Sequence, residues 1–182
     1  MNYAEIKNCD IANGPGVRVS LFVSGCTHHC PGCFNQVAWD FDYGQPFTQQ
    51  TIDGILEMMK PSSIKGLTLL GGEPFEPQNQ EPIVELLRQI KKKYPQKSIW
   101  AFSGYLFDRD ILAGRLGPWE IPKEYLSYLD VLVDGPFVEA KKNLSLRFRG
   151  SENQRIIDVP ASLAAEKIVL WQDWQGDGRG LT

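Results

Sequence analysis

Three cysteines lie within eight residues in Cys26-Thr27-His28-His29-Cys30-Pro31-Gly32-Cys33, a Cys-x3-Cys-x2-Cys run. Thiolates are soft ligands that suit zinc, iron and iron–sulfur clusters. A closed zinc site or an ordinary iron–sulfur cluster takes four protein ligands. If the three thiolates hold a cluster of four irons, one iron has no protein ligand. A substrate or cofactor can bind metal directly at that corner, so the spacing points to catalysis rather than to a structural staple. Pro31 and Gly32 bend the backbone tightly and help Cys30 and Cys33 face one centre. Two other readings stay open from the residues alone. One is a zinc ion completed by His28 or His29, and the other is an ordinary cluster completed by Cys9. The histidines are expected to shape the loop or face solvent, and Cys9 to be a small buried hydrophobe.

A second group of residues with chemical potential is Gly71-Gly72-Glu73-Pro74. Paired glycines let backbone carbonyls approach a ligand with no Cβ in the way. Glu73 adds a carboxylate able to receive a cationic group through a charge-assisted hydrogen bond. Alone, the tetrapeptide is only a turn that ends a strand; beside the cysteine loop it reads as the seat of a ligand's ammonium. Ser103-Gly104-Tyr105 and Asp134-Gly135-Pro136 are further turn sequences of this kind.

The elements that position these groups alternate along the chain. Val17–Val23 is a β-rich apolar run, and Leu67–Leu70, Ser98–Phe102 and Asp130–Val133 are further short strands. Thr48 caps a helix with apolar residues at Ile52, Ile55, Leu56 and Met59, ended by Pro61. Ile83, Leu86, Leu87, Ile90 and Tyr94 mark a second helix, ended by Pro95. A weaker helical region covers Asp108–Leu129 with a break at Gly117-Pro118. Leu146–Phe148 and Arg155–Val159 read as a hairpin, and Lys167–Trp171 as another strand. Strand–helix alternation predicts an α/β fold with a parallel sheet. The repeats are too few for a closed eight-stranded barrel, so the expected architecture is an open partial (β/α) barrel of parallel strands, shorter than a full TIM barrel. The cysteine loop and the three turn sequences all follow predicted parallel strands, the edge where α/β proteins bind ligands.

Composition narrows the class. The 182 residues suit one domain, spanning 1–182, with about 160–182 as an extension or loose tail. Apolar residues make up 42% and charged residues 23%, and the net charge of −3 gives no reason to expect nucleic acid or an anionic membrane as partner. The N-terminal MNYAEIKNCD lacks a secretory signal, and no apolar run approaches the ~20 residues of a membrane span. A cytoplasmic location follows, in which cysteines serve as metal ligands or free thiols. Arg88, Lys91, Lys92, Lys93 and Lys97 read as a solvated helix face, with docking of an acidic electron donor as the alternative.

Cys26-x3-Cys30-x2-Cys33 with Phe34 after it, followed by Gly71-Gly72-Glu73-Pro74, resembles the radical S-adenosylmethionine superfamily. Asn13-Gly14-Pro15-Gly16-Val17-Arg18, Cys30-Pro31-Gly32-Cys33-Phe34-Asn35 and Arg149-Gly150-Ser151-Glu152-Asn153-Gln154-Arg155 resemble the activating enzymes of anaerobic (class III) ribonucleotide reductase. The resemblance covers about Asn8 to Asp158. It implies that Cys26, Cys30 and Cys33 hold a 4Fe–4S cluster whose open iron is chelated by S-adenosylmethionine. Reductive cleavage would give a 5′-deoxyadenosyl radical, which installs a glycyl radical on the reductase. No catalytic side chain is implied beyond cluster and cofactor. Cofactor contacts are expected at Gly71, Gly72, Glu73 and Pro74, with the ammonium on the backbone of Gly71–Glu73. Phe34 lies near the adenine or shields the cluster. Ser103, Gly104 and Asp134 are further candidates, each with a plain turn as the alternative. Arg147–Arg155 reads as a surface hairpin or a partner contact. Implied partners are the reductase, a reduced flavodoxin-like donor and a second copy of the chain. The alternatives are a radical S-adenosylmethionine enzyme acting on another glycyl-radical enzyme or a small molecule, and a non-catalytic zinc or electron-transfer module.

Overall fold

A computed structural model describes residues 1–172. Strand β1 (Asn2–Asp10) runs antiparallel to β2 (Val17–Val23), and the two-residue β3 (Gln45–Pro46) pairs with β1 on its other side. Then come α1 (Gln49–Met58), β4 (Ile64–Gly71), α2 (Pro77–Lys93), β5 (Ser98–Phe102), α3 (Glu120–Tyr128) and β6 (Val131–Asp134). Strand β7 (Arg155–Asp158) and helix α4 (Val159–Ala165) complete the described elements. The sheet has seven strands in the order β3-β1-β2-β4-β5-β6-β7. Strands β2, β4, β5 and β6 are mutually parallel, and β1, β3 and β7 are antiparallel additions at the sides. The fold is therefore mixed α/β, and the sheet does not close on itself, because β3 and β7 stand at its two ends.

Local sequence explains the central elements. Thr48 caps α1, its backbone N–H bonded to the Thr51 hydroxyl at 3.2 Å. Helix α2 buries Ile83, Leu86, Leu87 and Ile90 on one face, as their spacing requires. The weak region after Phe107 resolves into a single π-helical turn, Phe107–Ile111, and then α3 beyond Gly117-Pro118. Period-two alternation gives the sheet two unlike faces. Leu21, Leu69, Ala101 and Leu132 sit side by side across the parallel strands, fully buried in the core that the helices complete. One step along each strand, the row is Ser20, Thr68, Trp100 and Val131, on the opposite face.

Several expectations are corrected. Arg155–Asp158 does not form a hairpin with Leu146–Phe148; it pairs antiparallel with β6, and Val159 already begins α4 behind an Asp158 cap. The 167–171 stretch forms one isolated bridge, Leu170 to Ile157, with Trp171 placed against Trp100 and Phe148. Of the expected extension or loose tail, about 160–182, the first part belongs to α4 and the bridge at Leu170, and residues beyond Gln172 lie outside the described residues. Cys9 is exposed rather than buried, at a positive φ of 62° in an irregular part of β1. The basic stretch is for the most part the solvated face expected, with Arg88, Lys92 and Lys93 exposed. Arg88 pairs with Glu85 and Glu124, Lys91 with Asp130 and Lys93 with Glu57. Lys97 is buried, its Nζ donating to the carbonyls of Pro61 and Ile64.

Candidate functional site

The register brings the chemical groups to one edge. Val23 pairs with Gly71, Leu69 with Ala101 and Phe102 with Val133, so the carboxyl ends of the four parallel strands are level. The cysteine loop leaves β2 there, Gly71–Pro74 leaves β4, Ser103–Tyr105 leaves β5 and Gly135 follows β6. A cavity of about 570 Å³ opens at this edge on the face away from the main helix-packed core. Cys26, Cys30 and Cys33 all line it, as do Gly71, Gly72, Glu73, Ser103 and Gly104. Leu70, Phe102 and Phe148 add apolar walls. Phe34 reaches its rim and is 87% exposed. Cys9 is at the far end of the sheet: its neighbour Asp10 pairs with Arg18, near the start of β2. Five residue steps lead from Arg18 to Val23, about 17 Å of extended chain, so Cys9 does not share the centre with Cys26.

Among the described residues, no three His, Cys, Asp or Glu side chains are gathered as ligands of a single metal ion. A four-iron cluster asks something different, since each thiolate takes its own iron at its own corner. The donor set fits that group: three thiols, from one loop, on the wall of one cavity large enough for a bound small molecule. Burial pushes the Cys26 thiol up to about 12 and raises Cys30 as well. Thiolates at these positions therefore depend on a bound metal to form. The Nε1 of Trp39 is buried without an acceptor among the described residues, and Trp39 lines the same cavity. Sequence reading had no signal for Trp39 in this wall.

Glu73 is only 1% exposed, and its carboxylate is fully engaged. Oε1 accepts from the Phe75 amide at 2.8 Å and the Ser103 hydroxyl at 2.9 Å. Oε2 accepts from the Gly104 amide at 2.7 Å and lies 3.0 Å from Nε2 of His28. Burial opposes a charge on His28, but the Glu73 hydrogen bond and the surrounding carboxylates outweigh it and raise its pKa. Glu76, three residues on, is likewise buried and accepts from both the amide and the hydroxyl of Thr27, at 2.8 and 2.6 Å. Two glycines make this packing possible. A Cβ at Gly72 would sit 2.5 Å from the Gly25 carbonyl oxygen, and one at Gly104 would sit 2.5 Å from the His28 ring. His29 is turned elsewhere, its ring 4.6 Å from that of Trp39.

Asp134 is placed differently from the other candidates. It is fully buried; Arg155 binds both its oxygens, at 2.9 and 2.5 Å, and the Phe107 amide donates to Oδ2 at 2.8 Å. Gly135 rather than Asp134 reaches the cavity wall, and Pro74 is not among the residues that line it. The segment 147–155 does not stand free as a hairpin. Phe148, Arg149, Gly150 and Gln154 line the cavity, and Gln154 holds the turn by accepting from the amides of Gly150 and Ser151.

Comparison with known proteins agrees with this geometry. Residues 12–157 match a family described as a 4Fe-4S single cluster domain. The anaerobic ribonucleoside-triphosphate reductase-activating protein of Enterobacteria phage T4 is 44% identical over 158 residues, 86% of this chain and 93% of the relative. Its namesake in Escherichia coli (strain K12) is 42% identical over 156 residues, 85% of this chain and 96% of the relative. The Vibrio cholerae protein of the same name is 40% identical over 159 residues, 86% and 97% of the two chains. The chain belongs to the family of anaerobic ribonucleoside-triphosphate reductase-activating proteins.

Proposed function

We propose that this protein is an activase that installs a glycyl radical on an anaerobic ribonucleotide reductase, using a 4Fe–4S cluster and S-adenosylmethionine. The observation that carries the reading is the placement of Cys26, Cys30 and Cys33 on the wall of a cavity shared with Gly71 and Gly72, at the level ends of parallel strands. The relatives at 40–44% identity, each named as an activating protein of that reductase, give it its target.

Cys26, Cys30 and Cys33 would hold the cluster and leave one iron to the cofactor's amino and carboxylate groups. When bound, the cluster supplies the electron that cleaves S-adenosylmethionine and so yields the species that takes a hydrogen from the reductase glycine. The chain's own part is to bind, orient and exclude water. Backbone groups of Gly71–Glu73 would receive the amino group, Ser103 and Gly104 would border the cofactor, and Phe34 at the rim would meet the adenine or shield the cluster. Leu70, Phe102 and Phe148 line the apolar wall and keep water from the reacting centre. Asp134 and Pro74 contribute by fixing the strand ends that carry these groups. The half-open sheet is read as a partial barrel of radical S-adenosylmethionine type, a reading supported by its parallel centre and by the cavity on one face. A reduced flavodoxin-like donor, a homodimer and a cytoplasmic setting complete the proposal and rest on family resemblance; no helix of the described residues is long and apolar enough to cross a membrane.

The test is anaerobic reconstitution with iron and sulfide, followed by reduction in the presence of S-adenosylmethionine. The expected result is an iron–sulfur absorption band and formation of 5′-deoxyadenosine. A protein that takes up zinc in place of iron, or that loads iron and binds the cofactor without cleaving it, contradicts the proposal.

A further inference from the structure

Glu73 was expected to meet a ligand's ammonium, yet its carboxylate has no place left for one. A carboxylate offers about four acceptor positions. Phe75, Ser103, Gly104 and His28 occupy them, two on each oxygen. Three of these partners fix Glu73 to its own surroundings at the ends of β4 and β5. The fourth, His28, belongs to the cysteine loop and lies between Cys26 and Cys30. Glu76 repeats the pattern one residue earlier in the loop: a single oxygen takes both polar hydrogens of Thr27. The Tyr105 hydroxyl lies 3.4 Å from that oxygen, and its ring packs edge-on to His28 at 4.3 Å. Thus two buried carboxylates from one turn grip two consecutive residues of the ligand loop. Both Glu73 and Glu76 are at most 4% exposed, so each of these hydrogen bonds is made away from water, where an unmatched partner is costly.

We infer that Glu73 and Glu76 form a paired clasp that seats the cysteine loop through His28 and Thr27, leaving the backbone of Gly71 and Gly72 as the ligand-facing part of that strand end. His28 and Thr27 are positioning residues: they set where Cys26, Cys30 and Cys33 stand before iron arrives. Gly104 belongs to the same device, since any side chain there would displace the His28 ring. The inference deepens the proposed function, because it assigns parts to the same site. Its seating half, however, is a property of the metal-free chain and stands or falls separately.

The test uses the full-length protein in two states. Without metal, hydrogen exchange of residues 24–35 is followed in the parent and in His28→Ala, Thr27→Val and Glu76→Gln. Each substitution is expected to speed exchange of the loop amides by about tenfold or more, with exchange of α2 unchanged. His28→Gln, which keeps a donor on a side chain of similar reach, should return most of the protection. After reconstitution, Glu73→Gln and His28→Ala are expected to broaden the cluster's electron resonance signal and to weaken S-adenosylmethionine binding by factors that agree within about threefold, because both loosen the same loop. Unchanged loop exchange in His28→Ala and Thr27→Val would overturn the clasp. A loss of ten-fold or more in cofactor affinity in Glu73→Gln, with His28→Ala binding normally, would overturn it too, by showing that the carboxylate serves the ligand directly.

Discussion

The two faces of the parallel sheet are built from the same strands and do opposite things. On the helix-covered face, Leu21, Leu69, Ala101 and Leu132 form a fully buried apolar row with nothing polar to satisfy. On the other face the matching row reads Ser20, Thr68, Trp100 and Val131. That face also buries Arg18, whose guanidinium donates to the Thr68 hydroxyl, the Ser98 hydroxyl and the carbonyls of Leu67, Ser98 and Pro15. Burial lowers the Arg18 pKa to about 10, against the opposing pull of Asp130 and Asp10. The first face is held by area and shape. The second combines a smaller apolar cluster around Trp100, Val131 and Val133 with directed hydrogen bonds, and these bonds fix positions rather than maximise stability. A cavity that must present thiols and backbone groups in fixed places belongs on the second face.

This contrast makes predictions of graded size. Cys30→Ala should abolish iron retention and cofactor cleavage completely while leaving the folded chain intact, as judged by iron analysis beside circular dichroism. Loss of fold along with iron would mean that the loop supports the core as well as the cluster. Leu69→Ala on the covered face should cost about 2–5 kcal/mol in denaturant unfolding, the usual range for a large-to-small change at a fully buried site. Thr68→Val on the open face keeps the volume but removes the hydroxyl between Arg18 and the Asn13 carbonyl, and should cost about 1–3 kcal/mol. If it proves neutral, the open face is not held by directed bonds. Cys9→Ala should change stability by no more than about 0.5 kcal/mol and leave iron content unaltered. A drop in iron would restore Cys9 as a ligand and break the placement of the centre at one edge.

What sequence revealed follows the same division. Apolar periodicity located the four parallel strands and both long helices, because burial on the covered face imposes a repeating pattern. Strand β1 escaped notice since its residues are mostly half-buried or exposed and its place comes from pairing with β2. Strand β7 was foreseen, but with the wrong partner: its neighbour β6 lies more than twenty residues earlier in the chain, beyond what a local pattern can show. At the site, the cysteine spacing and the strand-end turns were legible as chemistry. The destination of each side chain was not. Asp134 turns to Arg155, Glu73 turns to His28, and Trp39 enters the cavity wall from a short 3-10 helix with no motif to announce it. Such partnerships depend on which loops meet in space, and residue type alone leaves that open.

The most direct measurement of the central claim is electron paramagnetic resonance of an anaerobic ribonucleotide reductase after incubation with the reconstituted, reduced protein and S-adenosylmethionine. A stable glycyl radical is expected on the reductase, dependent on both the cofactor and all three of Cys26, Cys30 and Cys33. Cofactor cleavage that leaves the reductase without a radical, in a mixture where a known activating protein does produce one, would contradict it.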